Sequence, residues 1–306
     1  MNLFQTSFLL LGRFIRMLPR VRGKVALGNY YYKFFSRRQP EAFAVQTTLF
    51  REGLTFRLDL DCAHERMAYL MGQYEEKEVF LLEELWKSGT LLDVGANIGL
   101  ISIPFATRAK EKQRSLKRFV YAIEALPSNF QALTTNIELN KLGDAIVPIN
   151  IGLGAQDADV FIQIEGDDPN KTGTANILPS ARDFVKIPLK LRSIDMLIEE
   201  GLLPDDISLI KIDTDGYDFE VLKGAGRLLS SNRPLVFAEM SEYCLNWHGY
   251  GIREVITHLA QIDYEVWPLV GVGPPSTFTS HIAADYEINC LLVPQERTPE
   301  LSRYLV

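Results

Sequence analysis

Three short segments of the sequence join an apolar run to acidic or small residues, a combination that builds ligand sites in α/β proteins. The first is residues 91–100, LLDVGANIGL. Its apolar run predicts a buried strand, its glycines predict a tight turn, and a helix is expected to start directly afterwards. Such a turn lets a ligand approach the backbone and the N-terminus of the helix.

The composition of this turn distinguishes between two cofactor classes. A dinucleotide site uses G-x-G-x-x-G, whose glycines admit the pyrophosphate to the helix N-terminus. This chain has Gly95, Ala96, Asn97 and Gly99 instead, and it places Asp93 at the strand end. A carboxylate there would repel a pyrophosphate and attract the ammonium and sulfonium charges of S-adenosylmethionine. The turn therefore favours the methyl donor, with an NAD(P)-dependent oxidoreductase as the alternative.

The second segment ends in Glu124, directly after the apolar run 119–123. An acidic side chain at this strand end can accept hydrogen bonds from both ribose hydroxyls of an adenosine. Glu124 follows Gly99 by 25 residues, slightly more than the usual ~20, and the polar stretch 110–117 accommodates the excess. The other interpretation is that Glu124 belongs to the start of the helix that Pro127 begins.

The third segment, residues 210–225, reads IKIDTDGYDFEVLKGA. Asp213 ends a predicted strand, at the carboxyl edge where open α/β sheets hold ligands. Asp215, Asp218 and Glu220 lie around the start of the following helix, where acidic side chains stabilise the positive end of the helix dipole. Asp213 is therefore the strongest candidate for a ligand contact among these four acids.

The elements that position these segments follow the order of a doubly wound fold. From about residue 75, helical patterns alternate with short apolar runs, which predicts a mostly parallel sheet with crossover helices. The parallel strands are predicted at 91–94, 119–123, 145–149, 208–212 and 235–238. A strand pair at 160–164 and 186–191 is predicted as an insertion, and 264–267 with 288–293 as a terminal hairpin.

With these segments together, the chain resembles the FkbM family of S-adenosylmethionine-dependent methyltransferases. The family typically shows D-x-G-A-N-x-G, an acid after the second strand, and K-I-D-x-E-G-x-E running into V-L-x-G-A. Here these read DVGANIG at 93–99, Glu124, KIDTDGYD at 211–218 and VLKGA at 221–225. Asp215 and Asp218 stand where the family favours Glu, which keeps the charge and shortens its reach. The resemblance extends from residue 72 to residue 294 and leaves residues 1–70 largely outside it.

The resemblance implies a class I, Rossmann-like α/β methyltransferase fold, with a mostly parallel seven-stranded sheet and a C-terminal antiparallel hairpin. The implied S-adenosylmethionine site consists of Asp93, Gly95, Ala96, Asn97, Gly99, Glu124 and Asn150. The turn residues would form the floor under the methionine part, with Asp93 near its amino group. Glu124 would hold the ribose, and Asn150 would lie near the adenine or else serve only as a turn residue.

The acceptor that the resemblance implies is a hydroxyl oxygen of a sugar, lipid or secondary metabolite. An alcohol has to lose a proton when it takes the methyl group, which calls for a base. The candidates are Asp213, Asp215, Glu239 and His248, of which only the histidine has an ordinary pKa near neutrality. Alternatively, the three carboxylates hold Mg²⁺, since the fourth and fifth strands are expected to be adjacent. A methyltransferase-like binding module without catalysis is the non-enzymatic alternative.

Charge is unevenly distributed along the chain. Residues 1–40 contain eight Lys or Arg residues and no acid, which gives this segment a charge of +8. Since the net charge of the whole chain is −7, the remaining 266 residues have a net charge of −15. The overall negative charge argues against a nucleic-acid partner. A short basic amphipathic helix is predicted before Pro19, and its apolar face consists of Phe4, Phe8, Leu11, Ile15 and Leu18. We expect residues 1–40 to pack on their own domain, to mediate self-association, or to contact an anionic membrane surface.

Composition is that of a globular protein, with 306 residues of which 47% are hydrophobic and 23% are charged. We expect a basic N-terminal extension, residues 1–74, with a small strand pair around Gly53, and a methyltransferase domain, residues 75–306. The three cysteines form no CxxC pair, so no disulfide framework is predicted and a reducing cytoplasm is expected. No transmembrane helix or signal peptide is predicted. Peripheral contact with the inner membrane surface is the alternative to a purely cytoplasmic location.

Overall fold

The computed structural model describes residues 3–18, 23–36, 43–165, 175–176, 184–269 and 287–304. The α-helices are α1 Leu3–Met17, α2 Lys24–Ser36, α3 Ala63–Met71, α4 Glu76–Leu85, α5 Ser102–Lys112, α6 Pro127–Leu139, α7 Ile194–Glu199, α8 Asp218–Lys223, α9 Gly226–Ser231, α10 Glu242–Trp247 and α11 Ile252–Ala260; a 3₁₀ helix follows at Gln295–Tyr304. The strands are β1 Ala44–Leu49, β2 Leu54–Asp59, β3 Thr90–Val94, β4 Val120–Ile123, β5 Ile146–Ile149, β6 Gly152–Leu153, β7 Ala158–Glu165, β8 Ala175–Asn176, β9 Phe184–Arg192, β10 Ile207–Ile212, β11 Leu235–Ser241, β12 Tyr264–Pro268 and β13 Glu287–Pro294.

The central sheet has seven strands in the order β12-β13-β11-β10-β3-β4-β5. The five strands from β11 to β5 pair in parallel, whereas β13 is antiparallel to both of its neighbours. The predicted mostly parallel sheet with a C-terminal antiparallel hairpin is therefore confirmed. The chain runs outward from β3 in both directions, so a topological switch point lies between β3 and β10, where open sheets of this kind bind ligands.

The strands carry apolar residues on both faces because helices cover the sheet on both sides. Leu91 and Val120 belong to a core shared with α4, α5 and α6, while the next residues, Leu92 and Tyr121, belong to a second core shared with α8 and α11. This alternation is the two-residue period of a strand. It explains why the predicted strands are short, uninterrupted apolar runs.

Three features of the fold differ from the sequence prediction. Helix α5 does not start directly after the glycine turn but at Ser102, so the turn between β3 and α5 occupies residues 95–101. The inserted strand pair, observed as β7 and β9, is joined by β6 and β8 into a four-stranded sheet. Helix α2 and the 3₁₀ helix were not predicted, since neither segment has a strong apolar period.

The antiparallel hairpin of β1 and β2 attaches to α6 through two asparagine side chains. Asn136 Oδ1 accepts from the N–H of Arg57 at 2.8 Å, and Asn140 pairs with both backbone groups of Thr55 at 2.9 and 2.7 Å. Residues spaced by four lie on one face of a helix, so both amides face the same edge of β2. Their hydrogen bonds replace those that the backbone of a neighbouring strand would make to that edge. Asn136 Nδ2 also donates to Ile98 O at 2.9 Å, which ties the hairpin to the turn after β3.

Helices α1 and α2 pack on α3 through a cluster of aromatic rings. Phe4 and Phe8 contact Tyr31 and Tyr32, and Phe8 stacks on Tyr69 of α3 at 6.0 Å between ring centroids. The face of α1 that carries Phe4, Phe8 and Ile15 is buried, as the expectation of packing on its own domain requires, while self-association and membrane contact through residues 1–40 stay predictions. The core that holds these rings also contains β3 and β4 residues, and the division of the chain at residue 74 stays a prediction. In the described residues no helix is both long and apolar enough to span a membrane.

Candidate functional site

A cavity of about 370 Å³ opens where β3, β4, β10 and β11 end. Its volume lies in the range of small-molecule sites, and its position is the topological switch point of the sheet. The wall is formed by Val94, Gly95, Ala96, Asn97, Leu100 and Ile101 after β3; Ile123, Glu124, Ala125, Leu126 and Asn129 after β4; Lys211, Asp213, Thr214, Asp215 and Tyr217 at β10; and Glu239 on β11. The three sequence segments that carried polar residues therefore meet in one place.

Gly95 makes this meeting sterically feasible. Its φ is +76°, and a Cβ built on it would lie 1.9 Å from the carbonyl oxygen of Asp213. The turn after β3 and the loop after β10 thus touch backbone to backbone, which excludes any side chain at this position. The close approach also brings the strand ends of β3 and β10 together at the cavity floor.

Glu124 is held at the cavity wall by backbone donors. Its Oε2 accepts from Asn97 N and its Oε1 from Leu126 N, both at 2.8 Å. Burial raises the pKa of Glu124 to about 7, although these hydrogen bonds favour the charged form. Asn97 has φ +50°, and its side-chain Oδ1 is buried without a hydrogen-bond partner among the described residues. An unsatisfied polar atom at the wall fits a cavity built for a polar ligand.

Lys211 is the central cation of the site. Its Nζ lies 3.2 Å from Gly95 O, 3.2 Å from Asp213 Oδ2 and 3.5 Å from Asp93 Oδ1. Lys211 and Asp93 are register partners on adjacent parallel strands, so they share one face of the sheet. Burial would lower the pKa of Lys211, but the carboxylates of Asp213, Asp93 and Glu75 raise it above its ordinary value. The lysine therefore stays charged and holds the two strand ends together.

Four of the residues proposed from the sequence are not on the cavity wall in the part of the chain that the structure describes: Asp93, Gly99, Asn150 and His248. Asp93 is fully buried and faces Lys211 and the hydroxyl of Ser102, and its place near the amino group of the donor stays a prediction. A Cβ at Gly99 would meet Ile103 and Leu133 at under 3 Å, so this glycine allows helix packing instead.

Asn150 and His248 lie just outside the cavity wall. The Asn150 amide donates to Glu124 O at 2.8 Å and Ala125 O at 3.1 Å, which are contacts of a turn residue, and its contact with the adenine stays a prediction. The ring of His248 packs edge-on against Tyr217 at 5.1 Å between centroids, and burial lowers its pKa. His248 thus contacts a side chain of the cavity wall without lining the cavity itself.

The remaining base candidates, Asp213, Asp215 and Glu239, line the cavity, and they are joined there by Glu75. Glu75 directly precedes α4 and has φ +41°. Burial raises its pKa to about 7, and Lys211 opposes that rise. No group of three or more acidic, histidine or cysteine side chains in the described ranges is arranged to hold a metal ion. The Mg²⁺ alternative therefore receives no geometric support.

Sequence reasoning did not assign roles to Tyr74, Glu75, Lys211 or Tyr217, all of which line the cavity. Lys211 was visible as the second residue of the third segment, but no local pattern indicated that it would pair with Asp93 on β3. Glu75 lies in the stretch 72–75 where the family resemblance begins. The position of Glu75 directly before the first helix of the domain was the sequence feature that could have indicated a site residue.

Asp218 shapes the loop that carries Asp213 and Asp215. Its carboxylate accepts from Thr214 N at 3.2 Å and from Gly216 N at 3.0 Å. Burial raises the pKa of Asp218 to about 7, with the nearby Asp213 charge acting in the same direction. Asp218 thus has a structural role at the start of α8, in agreement with the interpretation that did not give it a ligand contact.

Apolar side chains also line the cavity, most of them from the four-stranded insertion. They are Ile151, Leu153, Ile162, Leu189 and Leu191. Aliphatic side chains of this kind can bury an aromatic ring. The lining therefore combines charged and apolar side chains, which suits a ligand with a polar and an aromatic end.

The sheet order, with its reversed strand β13 between β11 and β12, and a cavity at the switch point define a class I methyltransferase fold. The sequence profile of the methyltransferase FkbM domain matches residues 93–266. The chain belongs to the FkbM methyltransferase family.

Two of the relatives of known name are methyltransferases of distant sequence. The hexuronic acid methyltransferase AglP of Haloferax volcanii is 30% identical over 154 residues, which cover 49% of this chain and 56% of AglP. The methyltransferase sdnD of Sordaria araneosa is 24% identical over 198 residues, covering 52% of this chain and 73% of sdnD. The chain thus spans little more than half the length of AglP. The solved FkbM methyltransferase from Methylobacillus flagellatus aligns at a TM-score of 0.43 with 15% identity, covering 94% of this chain and 58% of that one.

Proposed function

We propose that the protein transfers a methyl group from S-adenosylmethionine to a hydroxyl oxygen of a neutral acceptor such as a sugar. The observation that carries the proposal is the cavity at the switch point, with Glu124 fixed on one side and carboxylates on the other. Membership of the FkbM family supplies the reaction type. The site residues support the donor and the charge class of the acceptor.

The donor is held by the turn after β3 and by Glu124. The carboxylate of Glu124 is fixed by Asn97 N and Leu126 N, and its remaining lone pairs can accept from ribose hydroxyls. The Asn97 side chain offers a further polar atom. The aliphatic wall that includes Ile151 and Leu189 can cover the adenine. S-adenosylmethionine, when bound, supplies an electrophilic methyl group and leaves as a neutral thioether.

Glu75 is the residue best suited to take the proton from the acceptor hydroxyl. Its pKa of about 7 lies near the operating pH, where a general base works most efficiently. Asp213, by contrast, already accepts a hydrogen bond from Lys211 at 3.2 Å. Asp215 is exposed at the rim, and His248 lies behind Tyr217. We therefore assign to Glu75 the role of the base that accepts the proton of the acceptor hydroxyl, and to Asp213 a positioning role.

The charge of the wall selects among acceptors. Six acidic residues in the described ranges line the cavity: Glu65, Glu75, Glu124, Asp213, Asp215 and Glu239. They face Lys211, whose ammonium is already engaged by Asp93 and Asp213. An anionic acceptor would be repelled by this surface, whereas a neutral polyol would find many hydrogen-bond acceptors. The acceptor carboxylate of a hexuronic acid is therefore disfavoured here.

The donor is tested by titration calorimetry of the full chain with S-adenosylmethionine, S-adenosylhomocysteine and NADH. We expect the first two to bind and NADH not to bind. Glu124→Gln should weaken S-adenosylhomocysteine binding about 10–100-fold, because charge-assisted hydrogen bonds to ribose are lost. Glu138→Gln, on the exposed side of α6, is the matched control and should bind normally. Binding of NADH alone would overturn the methyltransferase proposal in favour of an oxidoreductase.

The acceptor is tested by transfer of a labelled methyl group to pairs of compounds that differ only in charge, such as a hexose and its uronic acid. We expect transfer to the neutral member and a rate that rises with pH through an apparent pKa near 7. Glu75→Gln should remove that rise. Preferential transfer to the uronic acid would contradict the assignment of the acceptor class while leaving the donor site intact. Donor binding without turnover on any member would support the binding-module alternative.

A further inference from the structure

We propose that the outer face of helices α1 and α2 docks on a membrane surface that contains anionic lipids. Thirteen large hydrophobic residues are exposed in the described part of the chain, and seven of them lie on these two helices. They are Leu3, Leu10, Phe14 and Met17 on α1, and Leu27, Tyr30 and Phe34 on α2. We call this set the outer face. Such a concentration marks an interaction surface rather than scattered surface residues.

The outer face is not the apolar face that the sequence pattern predicts. On α1 the predicted face, which includes Phe4, Phe8 and Ile15, is buried against the protein. Leu10, Phe14 and Met17 follow one another at spacings of four and three, so they form a second stripe, roughly opposite to the buried one. This helix therefore has apolar residues on both sides, and among the described residues only the first side is covered.

Both exposed stripes point away from the protein core. On α2, Gly28 and Tyr32 are buried, and a Cβ at Gly28 would meet the side chain of Leu70 in α3. Leu27, Tyr30 and Phe34 fall on the other side of the helix. Helices α1 and α2 contact each other, and both contact α3, so we infer that their outward stripes lie next to each other. A flat partner can contact both helices at once.

The charges around the outer face identify its partner. Arg13 and Lys33 flank the two stripes and are exposed, and no salt bridge pairs either of them within the described ranges. The whole segment 1–40 carries eight basic residues and no acid, whereas the other 266 residues carry −15. Apolar side chains with a basic border match the acyl boundary and the anionic headgroups of a lipid surface.

A second copy of this chain is a poorer partner for the same face. A two-fold dimer would place the face against itself, so that the basic residues of one copy would oppose those of the other. The membrane, in contrast, supplies both the apolar layer and the opposite charge. The acidic remainder of the protein would be repelled by anionic lipids, which would leave only the basic helices in contact with them.

The test is flotation of the full chain with vesicles of phosphatidylcholine alone or mixed with phosphatidylglycerol, at low and high salt. We expect flotation with the anionic vesicles at low salt, and loss of it with phosphatidylcholine alone or at high salt. The double variant Leu10→Gln/Phe14→Gln should bind at least about tenfold more weakly. Arg13→Glu/Lys33→Glu should show a comparable loss, with a reduced response to salt.

Phe161→Gln/Leu202→Gln is the matched control, because these side chains are 57% and 53% exposed against 57% and 60% for Phe14 and Leu10. The control should float like the wild type. All variants should have the same unfolding temperature as the wild type. The proposal is overturned if the wild type ignores anionic vesicles at low salt, or if the Leu10 and Phe14 variant floats unchanged. Sedimentation equilibrium adds a third outcome: a dimer that this variant abolishes would assign the face to a second copy.

Discussion

Replacing Lys211 by Met should strongly destabilise the protein. The substitution keeps an unbranched side chain of similar length but removes the ammonium that lies 3.5 Å from Asp93 and 3.2 Å from Asp213. Asp93 is fully buried, whereas the Asp213 side chain is 37% exposed. The main cost is therefore the uncompensated Asp93 charge. Removing one partner of a buried ion pair costs about 3–5 kcal/mol, and the Asp213 contact adds little because solvent screens it.

The free energy of unfolding is measured by urea denaturation and the midpoint temperature by calorimetry, both without ligand. A loss of about 3–5 kcal/mol corresponds to a fall of roughly 5–8 °C in the midpoint of a chain of this size. The double variant Lys211→Met/Asp93→Asn should be less destabilised than the sum of the two single variants. In the double variant no buried charge is left without a partner.

Lys223→Met is the control for this prediction. Lys223 also forms a short ion pair, with Glu220 at 2.5 Å, but this pair is partly solvated and lies within one helix. Its removal should cost at most about 1 kcal/mol. If Lys211→Met and Lys223→Met lose the same stability, or if the single variants at Lys211 and Asp93 add without coupling, the argument that the buried pair holds β3 to β10 is refuted.

Three further changes follow from other parts of the structure. Burial raises the pKa of Glu75 to about 7, so its charged form destabilises the folded protein as the pH rises. From pH 4 to pH 8, the free energy of unfolding of Glu75→Gln should therefore rise by roughly 1–3 kcal/mol relative to that of the wild type. Urea unfolding at both pH values measures this difference. The same stability difference between variant and wild type at pH 4 and pH 8 would contradict this prediction. Gly95→Ala should separate the loops after β3 and β10 and abolish S-adenosylhomocysteine binding by calorimetry, since its Cβ would meet Asp213 O at 1.9 Å; normal binding would refute it. Asn136→Ala should cost about 2–3 kcal/mol because it leaves buried backbone groups unpaired, while Thr135→Ala on the same helix should cost little.

The sequence by itself determined the parallel strands of the central sheet and the segments that carry polar chemistry. Strands buried on both faces appear as short apolar runs, and the predicted runs agree with β3, β4, β5, β10 and β11 to within a few residues. Strand ends were recognisable because Gly95, Glu124 and Asp213 follow the apolar runs directly. These features depend on local patterns, and no contact between distant segments is needed to read them.

Only the tertiary structure decided which polar residues face the cavity and which are buried behind it. Asp93 and Lys211 are 118 positions apart in the sequence, and their pairing depends on the register of β3 beside β10. That pairing holds Asp93 off the cavity wall, while the fold of the segment before β3 brings Glu75 to the cavity. Helix α1 is another example. Since it has apolar residues on two sides, its sequence does not decide which side is buried against the protein, and only the packing of the helix decides this. Contacts of this kind arise from strand order and helix packing, which no local pattern encodes.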